Sequence, residues 1–433
     1  MTEYTTVNHA EYEATLSRGA FGTREKPREE AKPNQKRGRM DIPFLVLSMM
    51  LLTIGVIMVL SASFARSYLM GNGAGAVFFN QFRFALFGIA AMLLLTRVPT
   101  HIYRRFAVIA MIGSIVLLFA VFIPKIGVSH GGARRWIKVG IEFQPSELTK
   151  IGLILGFSYL FCVRKRPRNK IKIFELRTWR ARIFALLFRV FSNTNIQITL
   201  IAGVAAAILL KQPHLSAAII IVGIAAIIMF RGGLKIRWVT LWVAILAVLV
   251  VVVVQYVERE FQAGRLEGLN YQLMRIVSWL HPEADPQGGG YQILQSLYAI
   301  GSGGAFGVGI GQSRQKYLYL PEEHNDYIFA IVCEELGFVG AFLIIALFAL
   351  LIIRGFWLAI HAKDKFSSLV VTGITGMLAI QVFLNISVVT NFLPCTGISL
   401  PFFSYGGTAL VIQLAEIGII LGISRDITNK KAG

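Results

Sequence analysis

The chain has 433 residues, 55% of them hydrophobic and 15% charged, with a formal net charge of +20 and a mean hydropathy of +0.64. A soluble domain carries about a quarter of its residues charged, so this balance excludes an ordinary water-soluble enzyme. Its three cysteines, Cys162, Cys333 and Cys395, lie in or beside apolar segments at no metal or disulfide spacing, which leaves them as packing residues.

Residues 1–41 are hydrophilic, carry eight Lys/Arg together with Pro27 and Pro33, and read as a disordered basic tail. Apolar runs follow at Ile42–Ser61, Phe106–Pro124, Val190–Leu210, Leu215–Phe230, Trp238–Val257 and Ile398–Ala415. Shorter or lightly charged runs fall near 84–96, 146–163, 327–353 and 366–389. A helix needs about 20 such residues to cross the hydrocarbon core. The sequence therefore predicts an all-α integral membrane protein, a bundle of ten transmembrane helices over residues 42–425, with 426–433 as a short C-terminal tail. Alternating strands of barrel length are absent. "LSASFA" loosely resembles a cleavage site, yet so long a polar leader before an apolar run reads as an uncleaved first helix.

With both termini inside, 30 of the 43 Lys/Arg fall on the cytoplasmic side, as the positive-inside rule requires. Topology thus accounts for the charge and argues against nucleic acid. Residues 164–189 carry ten of these cations in "RKRPRNKIKIFELRTWRARIFALLFR" and read as an interfacial helix on anionic lipid, with partner docking as the alternative. The external connections are then 62–82, 125–146, 211–214, 258–326 and 390–407. The fourth is by far the longest, and loops of that length are usually functional. Within it, "YQLMRIVSWL" and "YQILQSLYAI" have helical amphipathic spacing. "GSGGAFGVGIGQS" (301–313) lacks the context of a nucleotide loop, and its glycines point to tight turns or close backbone approach. No internal repeat of the kind many transporters show is present.

Ionisable groups at the ends of spans mark function by default, and here they gather on the external side. "HGGARRWIKVGIEFQPSELTKIG" (130–152) holds Arg134, Arg135 and Trp136, then Glu147 and Lys150 entering a helix. Glu147 and Lys150 share a face at i,i+3, either as a satisfied ion pair or as a site where Lys150 meets an anionic ligand. In "YLPEEHNDYIFAIVCEELG" (319–337), Asp326 stands where the long loop becomes a helix. It is positioned to cap that helix, but capping leaves the density of Glu322, Glu323 and His324 beside it unexplained. Glu334 falls on the same face deeper in the helix, Glu335 faces neighbouring helices, and Glu416 in the last span reads as structural. "KQPHLS" (211–216), with Gln212, and "PCTGISLPFFSYGGTA" (394–409), with Ser404, Tyr405 and Thr408, also face outward. The second is a tightly turned or re-entrant loop, tolerated at membrane depth where it lines a cavity. "HPEAD" (281–285) is either a divalent-ion ligand set or a solvated loop. Together these residues describe an outward-facing polar cavity for a substrate with an anionic head and a lipid tail, and a reaction that uses a general base.

Three motifs resemble the SEDS family (shape, elongation, division and sporulation): "GARRWI…FQPSELTK", "GGGYQILQSLYAIGSGGAFGVGIGQSRQKYLYLPEEHNDYIFAIVCEELG" and "LPFFSYGG". The likeness spans residues 42 to 425, and "GQSRQKYLYLPE" looks nearer the FtsW/SpoVE branch than RodA. The resemblance implies a peptidoglycan glycosyltransferase of the bacterial cytoplasmic membrane that polymerises lipid II from an undecaprenyl-diphosphate-linked glycan during division or sporulation. It implies Asp326 as the essential aspartate and candidate base, with Glu147 and Lys150 as the functional pair. Arg134, Arg135 and Trp136 match the external-loop motif, and Gln212, His324 and Ser404 are further substrate-binding candidates. It also implies a class B penicillin-binding protein as partner, other division-complex membrane proteins, and a divalent cation, Mg or Mn, as a possible cofactor. The chain departs from the family pattern at His214, where an aspartate is usual. A precursor flippase and a non-catalytic division scaffold are the competing expectations.

Overall fold

The computed structural model describes residues 38–71, 73, 75–130, 133–163, 193–265, 271–284 and 288–428. Ten of its helices are long and apolar enough to cross a membrane. In chain order the helices are α1 (Ile42–Leu69), α2 (Ala76–Leu95), α3 (Thr100–Ala120), α4 (Pro145–Val163), α5 (Thr194–Lys211), α6 (Leu215–Gly232), α7 (Ile236–Gln262), α8 (Tyr271–Leu280), α9 (Gly289–Gly303), α10 (Ile328–His361), α11 (Lys365–Val389) and α12 (Gly407–Thr428). Helices α8 and α9 are the two amphipathic segments of the long loop; the other ten are the spans.

Continuous apolar sequence makes these helices, and capping residues start several of them. Asp41 accepts the Phe44 N–H at 3.0 Å, with a proline at the first turn, so α1 begins where the polar segment ends. Asn193 and Asp364 cap α5 and α11 in the same way. Asp41 also holds Arg354 of α10 through both carboxylate oxygens, and the Gly38 N–H donates to the Arg425 carbonyl at 3.2 Å. Residues 38–41, which the sequence assigned to the tail, are thus tied to the bundle. The rest of that tail and the basic 164–189 segment lie outside the described residues.

Helices α11 and α12 are the most buried spans and α7 the least. Large apolar side chains such as Phe87, Ile109 and Val248 are exposed around the bundle, as expected where the surrounding solvent is hydrocarbon. Span α2 begins near residue 76, where the sequence pattern placed it near 84, because the helix includes Asn80, Gln81 and Arg83 ahead of its apolar run, and the polarity of Gln81 is used inside the fold. Its amide is fully buried and bonds the 404–406 backbone.

Two features were not expected from hydropathy. Residues 127–143 form a small antiparallel sheet of β1 (Gly127–His130), β2 (Ala133–Val139) and β3 (Ile141–Phe143), in the order β1-β2-β3. And α10 is broken at Gly337, whose φ of 67° and ψ of −171° interrupt the helix.

Candidate active site

A cavity of about 710 Å³ lies among α4, α6, the sheet, the 322–326 segment and the 397–410 segment. It brings together Arg135, Trp136, Glu147, Lys150, Asp326 and Ser404 from four separate stretches of sequence.

Glu147 lies in the first turn of α4, where the helix dipole favours an acid. Lys150 follows on the same face and its ammonium is 2.7 Å from the Glu147 carboxylate. Both are buried, Lys150 to 1% exposure. Water cannot solvate this ammonium from the protein side, so the cavity opening above it is where an anion finds its field.

Strand β2 pairs Val128 with Trp136 and Ser129 with Arg134, so Arg135 is the extra residue of a bulge. In a regular strand Arg135 and Trp136 would point to opposite faces; a bulge re-aims one of them. Both line the cavity as a result, while Arg134 is exposed outside it. The Arg135 guanidinium is fixed to the α5–α6 turn, its Nε donating to the Gln212 carbonyl at 3.4 Å and its Nη2 to the Pro213 carbonyl. Gln212 itself turns inward, donating its amide to the Leu118 carbonyl at 2.8 Å, so it supports the arginine rather than the cavity wall.

Asp326 is half-buried at the cavity wall. It does not cap α10: the cap position is Tyr327, with no side-chain cap bond, and no described residue donates a hydrogen bond to the Asp326 carboxylate. Its backbone is clamped instead. Asn385 of α11 donates to the Asp326 carbonyl at 2.8 Å and to the Ile398 carbonyl at 2.6 Å. Ser404 Oγ donates to the Asn325 carbonyl at 2.8 Å, and the Tyr405 N–H to the His324 carbonyl at 2.8 Å. Ser404 also accepts the Leu400 N–H at 2.7 Å, so its hydroxyl is used within the protein. Glu322 (φ 57°) and Phe402 (φ 67°) adopt left-handed backbone on either side of this clamp, a strain of about 1–3 kcal/mol each that the surrounding bonds sustain. Loss of water and the Glu322 charge push the Asp326 carboxyl up to about 6, against the pull of Arg135, Arg275 and His324.

His324 lies behind the clamp, its Nδ1 3.3 Å from the Glu323 carboxylate and its ring 5.7 Å from that of Tyr405; it does not line the cavity. His214 does line it, and burial with the Arg135 and Lys150 charges lowers its imidazole to about 3. Its ring is therefore neutral at pH 7, at the position where the resemblance implies a carboxylate. Glu334 and Glu335 are engaged elsewhere, with Ser313 and Lys316, and Glu334 does not share the cavity with Asp326. His281 of the "HPEAD" loop is paired with Glu258 at 2.8 Å. No group of three His, Cys, Asp or Glu side chains able to hold a metal is found among the described residues.

Sequence reasoning passed over Gln81, Asn385, Gln381 and Gln413, the first two as clamps and the last two as cavity lining. All are amides inside apolar spans, and a buried amide without an obvious partner was the available signal.

The model of a family described as cell cycle protein, FtsW/RodA/SpoVE, matches residues 42–429. Stage V sporulation protein E of Bacillus subtilis is 38% identical over 392 residues, covering 90% of this chain and 98% of its own. A probable peptidoglycan glycosyltransferase FtsW of Geobacter metallireducens is 36% identical over 387 residues, covering 89% and 95%. Among solved structures, a chain from a peptidoglycan synthase complex that coordinates polymerization and crosslinking aligns with a TM-score of 0.68 at 26% identity, over 90% of this chain and 98% of that one. A variant of the Thermus thermophilus rod shape determining protein RodA aligns with a TM-score of 0.59 at 25% identity, over 89% and 98%.

Proposed function

This chain belongs to the SEDS family of cell cycle proteins (FtsW/RodA/SpoVE), and from that membership and the cavity's chemistry we propose that it polymerises lipid II into glycan strands during division or sporulation. Asp326 carries the reading: its carboxylate is held at the cavity wall by its backbone alone and is left unbonded by the described protein groups. At about 6, its acidity suits a base that is ionised at neutral pH yet still basic enough to take a proton.

In this mechanism Asp326 accepts the proton of the 4-hydroxyl of the lipid II GlcNAc as that oxygen attacks the anomeric carbon of the growing glycan. The new glycosidic C–O bond forms as the C–O bond to undecaprenyl diphosphate breaks. Negative charge then develops on the departing diphosphate, and Arg135 and Lys150 are the fixed cations of the cavity that meet it. Glu147 holds Lys150 in place, and Trp136 forms wall. The described side chains do not form a preformed metal cage among themselves. The cavity faces outward if the positive-inside orientation holds, which puts the reaction on the outer side of the bacterial cytoplasmic membrane. A class B penicillin-binding protein is the crosslinking partner that fits such a polymerase.

The test is incubation of the purified chain, with its transpeptidase and a divalent salt, with labelled lipid II. Glycan strands that a muramidase digests are the expected product. Transfer of labelled lipid II across vesicles without strand formation would replace this reading by a flippase.

A further inference from the structure

A second buried polar cluster, which the transfer chemistry does not use, joins α1, the glycine-rich loop and α10. Lys316 is 2% exposed and Ser313, Glu334 and Glu335 are each 1% exposed. The Lys316 ammonium donates to Glu335 Oε1 at 3.1 Å and to the Gly311 carbonyl at 2.5 Å. Ser61 of α1 donates to Glu335 as well, 2.6 Å from Oε2, and the Ser313 N–H reaches Glu335 Oε1 at 3.3 Å. Ser313 Oγ and the Arg314 N–H occupy the two oxygens of Glu334 at 2.5 and 2.9 Å. Every oxygen of both carboxylates is thus used, which is what two acids buried together require.

The cluster sits at the break in α10. Residues 303–309 fill that break and repair its backbone from both sides. The Val308 and Gly309 N–H groups donate to the Glu334 and Glu335 carbonyls at 3.0 and 3.1 Å, and the Phe338 and Val339 N–H groups to the Gly304 and Ala305 carbonyls at 2.9 and 3.0 Å. The crossing has room only for glycine, since a Cβ on Gly307 would stand 2.1 Å from the Glu335 carbonyl oxygen. The outer piece of α10, 328–336, is consequently not continued into the rest of its helix. Its orientation is set by the loop and by the Glu334–Glu335 cluster, and it begins directly after Asp326.

We propose that Lys316 is a positioning residue for Asp326: through Glu335 it latches the outer piece of α10 to α1 and the glycine-rich loop, beside the Glu334 bonds to Ser313 and Arg314, and so fixes where the carboxylate stands in the cavity. The proposal rests on the reading of Asp326 as the base. An apolar contact would bury this junction equally well, but it would leave the helix piece free to slide; an ion pair with directed bonds specifies one register. The latch acts at the far end of a rigid element, so its loss displaces the base without touching the substrate.

Lys316→Met, Lys316→Arg and the double variant Lys316→Met/Glu335→Met test it in the full chain with its transpeptidase. Lys316→Met is expected to lower kcat on the order of 10²-fold, the effect of about an ångström of misplacement, with KM for lipid II unchanged. Lys316→Arg is expected to recover part of that loss. The double variant removes the uncompensated charge, so its thermal unfolding returns to that of the wild type while kcat stays low. A double variant that regains kcat along with stability, or a loss that falls on KM, overturns the proposal. Labelling of Asp326 by a water-soluble carbodiimide, mapped by peptide mass, gives a readout independent of turnover. A several-fold change in rate between wild type and double variant supports the latch, and equal rates overturn it. If the wild type makes no strands, the polymerase reading fails, and the labelling still decides the latch.

Discussion

At the scale of the residue, Asp326 combines a fixed backbone with an unoccupied carboxylate, and its environment makes a signed prediction. Its pKa is about 6 in the fold against an ordinary 3.8. Between those values the native state holds a proton that the unfolded chain has lost. Rising pH therefore costs stability across that window, and the cost is complete above about 6. Asp326→Asn should unfold at a higher temperature than wild type at about pH 7.5, with the gap closing toward pH 4. Thermal scans across pH check this; a gap that is the same at both ends would mean that the carboxyl is not desolvated. Gly397 supplies a second prediction. Its φ is +70°, and a Cβ there would lie 3.2 Å from Asp326 Oδ2. Gly397→Ala should lower kcat more than it raises KM, measured as glycan formed against lipid II concentration, because the added methyl pushes on the base.

At the scale of the element, short irregular pieces do the placing. The bulge in β2 turns Arg135 into the cavity, and the 394–406 loop carries the clamp on Asp326. That loop is in turn pinned to α2 by one side chain, since Gln81 accepts the Gly406 N–H at 3.2 Å and donates to the Ser404 carbonyl at 3.3 Å. Gln81→Ala leaves the buried Ser404 carbonyl without this partner, a cost of about 1–3 kcal/mol, and the half-buried Gly406 N–H without its acceptor at a smaller cost. It should lower both the unfolding temperature and the rate of strand formation, whereas Gln81→Glu, which keeps only the acceptor, should fall between. The sequence made the spans legible because about 20 apolar residues in a row have few other uses. It made Glu147, Lys150 and Asp326 legible because charge at a span end demands a reason. The sheet was not legible: its strands are as short as the three residues of β3, too brief for an alternating pattern to register. Nor was the break at Gly337, where helix-compatible sequence runs on either side and only the close approach of a distant loop requires the glycine. Arg134 and Arg135 look equivalent in sequence, and it took a bulge to separate them.

At the scale of the whole molecule, the most buried spans, α11 and α12, flank the clamp, while the less buried α6 lends Ser216, Ala217 and Ile220 to the cavity wall and α2 lends Phe84 to the wall and Gln81 to the clamp. Burial is greatest around the clamp on Asp326, and the Glu147–Lys150 pair is buried as well. Lys150→Met should cost about 3–5 kcal/mol of stability by leaving Glu147 unpaired, and adding Glu147→Leu should return most of it, read by thermal unfolding in detergent. Neither variant should regain polymerisation, since the cavity has then lost a fixed cation. The central claim is that Asp326 is the base of a lipid II polymerase, and one measurement addresses it most directly: strand formation from labelled lipid II by wild type and Asp326→Asn, each shown to bind lipid II and the transpeptidase. The account predicts strands from the wild type and a loss of at least 10²-fold in the variant, the lower range for a general base, with binding intact. Strands from Asp326→Asn at a rate close to that of the wild type would contradict it.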